Sequence, residues 1–221
     1  MSDLCVSRVP IFAELARADQ ERVAGLAQPV RFTSGDLVAD ERSAPRLLVV
    51  HRGRLKTSRL TREGTDQLLR VIGPGDFVGE SGVLSGAPSN KRVSAVEEGE
   101  ACAFTHDALR GLLQARPQVA LKMLATVSSQ LEDAEDRLAA LTTTDVATRL
   151  AGYLIDLPAT FSDGIAEVTL PLPKKDIASL LGTTPESLSR GFARLMRDTM
   201  IETKGAKVRL VDFEALDALT S

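Results

Sequence analysis

The chain has 221 residues but only two cysteines, Cys5 and Cys102, and no tryptophan. Two thiols are too few for a disulfide scaffold or a four-thiolate cluster within one chain. One tyrosine and an aromatic content of 4% leave little to stack on the bases of single-stranded nucleic acid. No apolar run approaches the roughly 20 residues that cross a bilayer, and the first residues lack a basic, apolar, cleavable signal. A cytoplasmic protein without a membrane partner is expected. No Walker loop, paired-histidine metal motif or Ser/His/Asp arrangement is visible, so no catalytic residue is assigned and an enzyme is not expected. Cys5 and Cys102 with His51 or His106 would be compatible metal ligands, but they are scattered and show no paired spacing. No metal site is therefore assigned, and haem has no motif in its support.

What remains is an ordinary globular mixture, 43% hydrophobic and 26% charged, long enough to bury a sizeable core. The formal net charge of −3 argues against general affinity for nucleic acid, but the charge is unevenly spread. Between positions 170 and 210 stand eight basic residues (Lys174, Lys175, Arg190, Arg194, Arg197, Lys204, Lys207, Arg209) against four acidic ones (Asp176, Glu186, Asp198, Glu202). That excess suits a phosphate footprint.

The stretch from Leu170 to Leu195 reads as a helix-turn-helix. Asp176 to Leu181 forms a short helix with Ile177, Leu180 and Leu181 on its apolar side. Gly182 supplies the sharp turn. Thr184 caps a second helix, and Pro185 takes its first position, where a missing N–H costs nothing. Leu188, Phe192 and Leu195 recur at helical spacing and face inward, which leaves Glu186, Ser189 and Arg190 together on the other face. A carboxylate that accepts from cytosine N4 and a guanidinium that forks onto guanine are suitable readers of a major groove. Behind this motif, Met200–Thr203 and Lys207–Val211 pattern as two strands around Lys204-Gly205. They form a β-wing whose lysines, Lys204 and Lys207, would meet a phosphate backbone. Asp212 caps a last short helix.

Upstream, residues 1 to about 28 pattern as helix. From Pro29 to about Phe104, short apolar stretches such as Leu47-Leu-Val-Val50 and Leu68-Leu-Arg-Val-Ile72 alternate with glycine turns, the pattern of a barrel or roll. After His106 the pattern is helical again. Ala120, Leu124, Val127, Leu131, Ala134, Leu138 and Leu141 follow alternating steps of four and three, a coiled-coil seam that calls for a second copy of the same helix. Thr142-Thr-Thr-Asp145 breaks the seam, and Asp145 caps a helix from Val146 to Leu157 that stops before Pro158.

This order, with the strings Gly35-Asp36, Val50-His-Arg-Gly-Arg-Leu55, Gly73-Pro-Gly-Asp-Phe-Val-Gly-Glu80 and Leu181-Gly-Thr-Thr-Pro-Glu-Ser-Leu-Ser-Arg190, resembles the family of the catabolite activator and the fumarate–nitrate reductase regulator, CRP/FNR. The resemblance covers nearly the whole chain. It implies an α+β fold: an N-terminal β-roll of cyclic-nucleotide-binding type with N-terminal helices over residues 1–116, a dimerisation helix and hinge over 117–144, and a C-terminal winged helix-turn-helix over 145–221. It further implies a homodimeric transcription regulator that binds a palindrome in double-stranded DNA and works with RNA polymerase. Glu186, Ser189 and Arg190 match the FNR-type readers of a TTGAT-like half-site. Pro185 stands where the catabolite-activator branch has an arginine.

Three signals remain open for the roll. The cyclic-nucleotide cassette of the family pairs a Gly-Glu, here Gly79-Glu80, with a downstream Arg-Ser. Here Lys91-Arg-Val-Ser94 sets Val93 between Arg92 and Ser94, and a one-residue offset on a strand turns a side chain to the other face. The iron–sulfur cluster of the founding FNR proteins needs four cysteines. The third signal is redox: the chain resembles two-cysteine FNR-like proteins of Gram-positive bacteria, which implies a reversible disulfide between Cys5 and Cys102. A cyclic-nucleotide-responsive regulator, and a regulatory module that has lost DNA binding, are the alternatives to a redox or small-molecule regulator.

Overall fold

The computed structural model describes residues 9–61, 64, 66–162 and 165–220. The chain divides into two compact units that part between Gln130 and Leu131. The first unit opens with the helices α1 (Pro10–Ala13) and α2 (Arg17–Leu26). There follow β1 (Gln28–Phe32), β2 (Leu37–Ala39), β3 (Arg46–Arg52), β4 (Leu55–Leu60), β5 (Asp66–Ile72) and β6 (Phe77–Val78). Next come helix α3 (Glu80–Ser85), β7 (Arg92–Ala95), β8 (Gly99–Thr105), α4 (His106–Ala115) and the long α5 (Pro117–Thr143). Among the described residues the strands form two antiparallel sheets, ordered β1-β8-β3-β6 and β2-β7-β4-β5.

Two cores explain the sequence of β3. Leu47 and Val49 pack with Phe12, Phe104, Leu109 and Val119, on the side covered by helices. Leu48 and Val50 pack with Leu55, Ile72 and Val93, between the sheets. A strand covered on both faces reads as a continuous apolar run rather than an alternation, which is why Leu47–Val50 is wholly hydrophobic. β8 follows the same rule. Cys102 and Phe104 join the helix-side core, while the smaller Ala101 and Ala103 lie between the sheets. The Phe12 and Phe104 rings meet at 5.7 Å between centroids, tilted by 51°, a favourable aromatic contact.

The β3–β8 ladder breaks at one point. Val50 opposes Ala101 and Arg52 opposes Glu100, so His51 is the extra residue of a bulge. The bulge requires a glycine opposite. A Cβ at position 99 would lie 2.1 Å from the Arg52 carbonyl oxygen and 2.6 Å from the Phe32 ring.

The second unit holds the end of α5, then α6 (Val146–Ile155), β9 (Ala159–Ser162), β10 (Ile165–Thr169), α7 (Lys174–Leu180), α8 (Pro185–Arg197), β11 (Ile201–Lys204), β12 (Lys207–Leu210) and α9 (Phe213–Thr220). Its sheet has the order β11-β12-β10-β9. Leu150, Leu154, Ile177, Leu188, Phe192, Leu195 and Leu216 are buried. The helix expected to reach Leu157 ends at Ile155, still ahead of Pro158. Along α5 the seam positions Leu124, Val127, Leu131, Leu138 and Leu141 are exposed in the single chain, whereas Val119 and Met123 are buried in the first unit. No helix among the described residues is long and apolar enough to cross a membrane.

The close approach at Gly99 yields a direct test. Gly99→Ala must displace either backbone or the Phe32 ring, and it is expected to lower stability by about 1–3 kcal/mol, the usual range for overpacking. Equilibrium denaturation of the two proteins measures it; an unchanged midpoint would show that the bulge yields freely.

Candidate nucleic-acid interface

The turn between α7 and α8 is set by Gly182, whose φ of +61° lies in the left-handed region. Its missing side chain also makes room: a Cβ there would fall 2.3 Å from a methyl of Leu141. Arg149 fixes the same corner. Its Nε donates to the Leu181 carbonyl at 3.1 Å, and its Nη1 donates to the carbonyls of Thr144 at 2.5 Å and Ala140 at 3.4 Å. The last turn of α5 and the helix-turn-helix are thus held by one guanidinium.

α8 begins as its sequence requires. The Thr184 hydroxyl accepts from the Ser187 N–H at 3.2 Å, and Pro185 occupies the first turn. Leu188, Phe192 and Leu195 are buried. The Lys174 ammonium lies over the Phe192 ring, 4.6 Å from its centroid, and ties the start of α7 to α8. Glu186, Ser189 and Arg190 are exposed on the opposite face. The Glu186 carboxyl is held below the ordinary carboxylate range by its own backbone N–H and then by the Thr184 hydroxyl, partly offset by desolvation, with Arg190 adding to the lowering. It is an anion at neutral pH. Arg190 donates to the Ser187 hydroxyl at 2.8 Å, and Ser189 donates to the Pro185 carbonyl at 2.8 Å. Both contacts are local to α8, so neither buries the groups.

At the wing, Lys204 and Lys207 face each other across the β11–β12 ladder. Lys207 is occupied: its ammonium lies 2.6 Å from the Glu167 carboxylate on β10. Arg209 likewise pairs with Glu202 at 2.7 Å. Arg194 pairs with Asp145 at 2.5 Å, a contact that spacing alone does not reveal because the partners are far apart in sequence. Lys174, Lys175, Arg190, Arg197 and Lys204 stand outside these three pairs and are exposed, Lys174 with its ammonium over Phe192, and they are the cations most available to phosphate.

The sensor residues are partly brought together. Gly79 and Glu80 line a cavity of about 50 Å³, with Asp40, Arg46, Ser89 and Lys91. The Glu80 Oε2 atom is buried there without a hydrogen-bond partner among the described residues. Arg92 and Ser94 do not line it. Val93 and Ala95 take the inward face of β7, so Arg92 and Ser94 project from the other side, and Arg92 lies 3.5 Å from Asp66. Cys102 is buried on the helix side of β8, its Sγ 4.0 Å from His51 Nδ1. Cys5 lies outside the described residues. His106 Nδ1 contacts the Val83 carbonyl at 2.5 Å.

Comparison with known proteins places these features in context. Residues 148–219 match the Crp-like helix-turn-helix domain, and residues 29–116 match the cyclic nucleotide-binding domain. A probable transcriptional regulator, flp, of Lacticaseibacillus casei is 32% identical over 217 residues, 98% of each chain. The CRP-like cAMP-activated global transcriptional regulator of Mycobacterium tuberculosis is 28% identical over 218 residues, 97% of each chain. FixK2 from Bradyrhizobium japonicum shares the fold with a TM-score of 0.75 at 22% identity, covering 88% of this chain and 98% of that one.

Asp145 joins two of the contacts above, since one oxygen caps α6 through the Thr148 N–H at 2.9 Å and the other meets Arg194. The Thr148 N–H, reinforced by Arg194, lowers its folded-state pKa despite partial burial. A lowered folded pKa means stabilisation that is present above the unfolded value and lost as pH falls through the folded one. Asp145→Ala is expected to cost about 1 kcal/mol at neutral pH, as a lost N-cap, while Asp145→Asn, which retains the cap, should cost less than half of that. The gap between wild type and Asp145→Ala should close in acid. Thermal unfolding from pH 7 to pH 3 checks this, and equal losses in the two variants would put the weight on the Arg194 pair instead.

Proposed function

The chain belongs to the CRP/FNR family of DNA-binding transcription regulators, which carry an effector-binding domain rather than an active site, and we propose that it acts as a homodimer on a TTGAT-like palindrome. The observation that carries this reading is α8. One face is locked into the core by Leu188, Phe192 and Leu195, and the other offers Glu186, Ser189 and Arg190 to the outside. In the major groove Arg190 exchanges its contact with Ser187 for the two acceptors of a guanine, and Glu186 accepts from a cytosine N4. Thr184 sits at the exposed start of the same helix. Lys204 meets the phosphate backbone at the wing. Lys207 does so by leaving Glu167, an exchange that costs little because an exposed pair is worth about 0–1 kcal/mol.

The dimer follows from α5. Leu124, Val127, Leu131, Leu138 and Leu141 form an exposed apolar stripe on one chain, and burying each leucine against a second copy contributes about 1.5–3 kcal/mol. We accordingly assign residues 1–116 to sensing, 117–144 to dimerisation and the hinge, and 145–221 to DNA binding, with RNA polymerase as the further partner.

For the signal, the redox reading through Cys5 and Cys102 is favoured over a cyclic nucleotide. The domain match and the name of the mycobacterial relative speak for a nucleotide. Against it, the cavity at Gly79 and Glu80 has about 50 Å³, where small-molecule pockets usually offer roughly 300–1,000 Å³, and Arg92 and Ser94 face away from it.

Fluorescence anisotropy on a labelled TTGAT-type palindrome tests the reading, with each titration run reduced and oxidised. Arg190→Ala should lose about 1–3 kcal/mol and relax the preference at one guanine. Equal weakening on every sequence would demote Arg190 to a phosphate contact, and failure to bind under either redox condition would favour a module without DNA binding.

A further inference from the structure

Building on the redox reading of Cys102, we infer that Cys102, His51 and Glu100 form a proton relay that makes Cys102 the attacking thiol of the switch, the sulfur that reacts first with a hydroperoxide. The relay is a product of strand geometry. On β8, Glu100 and Cys102 are two residues apart and share a face. On β3 the bulge adds His51, so that His51 and Arg52 together oppose Glu100. The imidazole thereby spans the two β8 side chains: Nε2 lies 3.3 Å from Glu100 Oε2, and Nδ1 lies 4.0 Å from Cys102 Sγ.

The order of roles is fixed by hydrogen-bonding capacity. A neutral imidazole has one N–H donor and one acceptor nitrogen. Glu100 accepts a hydrogen bond from the Nε2–H, which leaves the Nδ1 lone pair toward the thiol. Glu100 is itself gripped from both neighbouring strands, by Arg31 on β1 at 3.4 Å and Arg52 on β3 at 3.8 Å. Held there on the Nε2 side of the ring, away from Cys102, it acts as the group that orients the imidazole. Phe77 from β6 and Phe12, Leu15 and Val23 from the helical side belong to the same buried cluster as Cys102. This is a nucleophile, a base and an orienting group in sequence. The 4.0 Å gap is typical of a resting site that tightens on reaction.

In the step itself the thiol proton passes to Nδ1, and the sulfur attacks the terminal oxygen of the hydroperoxide. An S–O bond forms as the O–O bond breaks. Sulfur gives up two electrons, the peroxide is reduced to an alkoxide, and the imidazolium returns the proton to it. The products are a sulfenic acid and an alcohol, or water when the oxidant is hydrogen peroxide.

The test uses the full chain in a Cys5→Ser background, where only one thiol remains. Carbamidomethylation of Cys102 by iodoacetamide is followed by peptide mass spectrometry from pH 5 to pH 10, with sulfenic acid formation by hydrogen peroxide measured in parallel. The half-maximal rate is expected below about pH 8.5, the ordinary thiol value. His51→Gln should move it to that value or above and slow both reactions at pH 7 by about tenfold. An identical pH profile in His51→Gln overturns the relay. Should His51→Gln fail to fold, as judged by its thermal melt, Glu100→Gln decides instead: a slower, upward-shifted profile supports the relay, and an unchanged one overturns it. The assay needs neither a disulfide nor DNA. Loss of the relay therefore leaves the redox switch standing, whereas DNA binding indifferent to oxidant, with the pH profile as expected, removes the switch and keeps the relay.

Discussion

The DNA-binding half depends on how closely the end of α5 approaches the turn at Gly182. A Leu141 methyl occupies the space where any other residue would carry a Cβ. Arg149 holds the carbonyls of Ala140, Thr144 and Leu181 at the same corner. Leu141 is also the last position of the apolar seam, so the residue that ends the exposed stripe of α5 is the one that packs on the turn. The end of α5 and the start of α8 therefore share one corner, where a side chain at position 182 could enter only by moving Leu141.

A second constraint is electrostatic. The basic surplus between positions 170 and 210 is partly spent inside the unit, with Arg194 on Asp145, Lys207 on Glu167 and Arg209 on Glu202. These pairs are exposed or half-exposed, so each is weak and exchangeable. They shape which cations stand ready and which must be released. The charge count along the sequence treats all eight as equivalent, and the folded chain does not.

Much of this was legible because the local signals were self-sufficient. Thr184-Pro185 followed by Leu188, Phe192 and Leu195 defines a capped amphipathic helix without reference to any other part of the chain. The unbroken Leu47–Val50 run marks a strand buried on both faces, and the four-three stepping marks α5. What escaped depends on register or on distant partners. His51 owes its position to a bulge, which exists only in the pairing of β3 with β8. Lys207 reads as a free wing lysine until Glu167 on β10 is placed beside it. The β9–β10 hairpin left little trace, being two short strands directly after Pro158, with Phe161 fully outside the core rather than in alternation with it. Helix α3 was hidden between Gly79 and Gly86, both at positive φ, which read as successive turns.

The central claim is that two copies, joined along α5, place two α8 helices on one face of a duplex at a fixed separation. Binding to a series of palindromes whose half-sites are moved apart in steps of a few base pairs measures this directly, because the protein sets the spacing and the DNA sets the helical phase. The account predicts tight binding at one spacing, with half-sites about one helical turn apart, and a steep loss when half a turn, roughly five base pairs, is inserted. Affinity that does not depend on spacing would mean that each chain binds alone, and the account of a symmetric reader would be wrong.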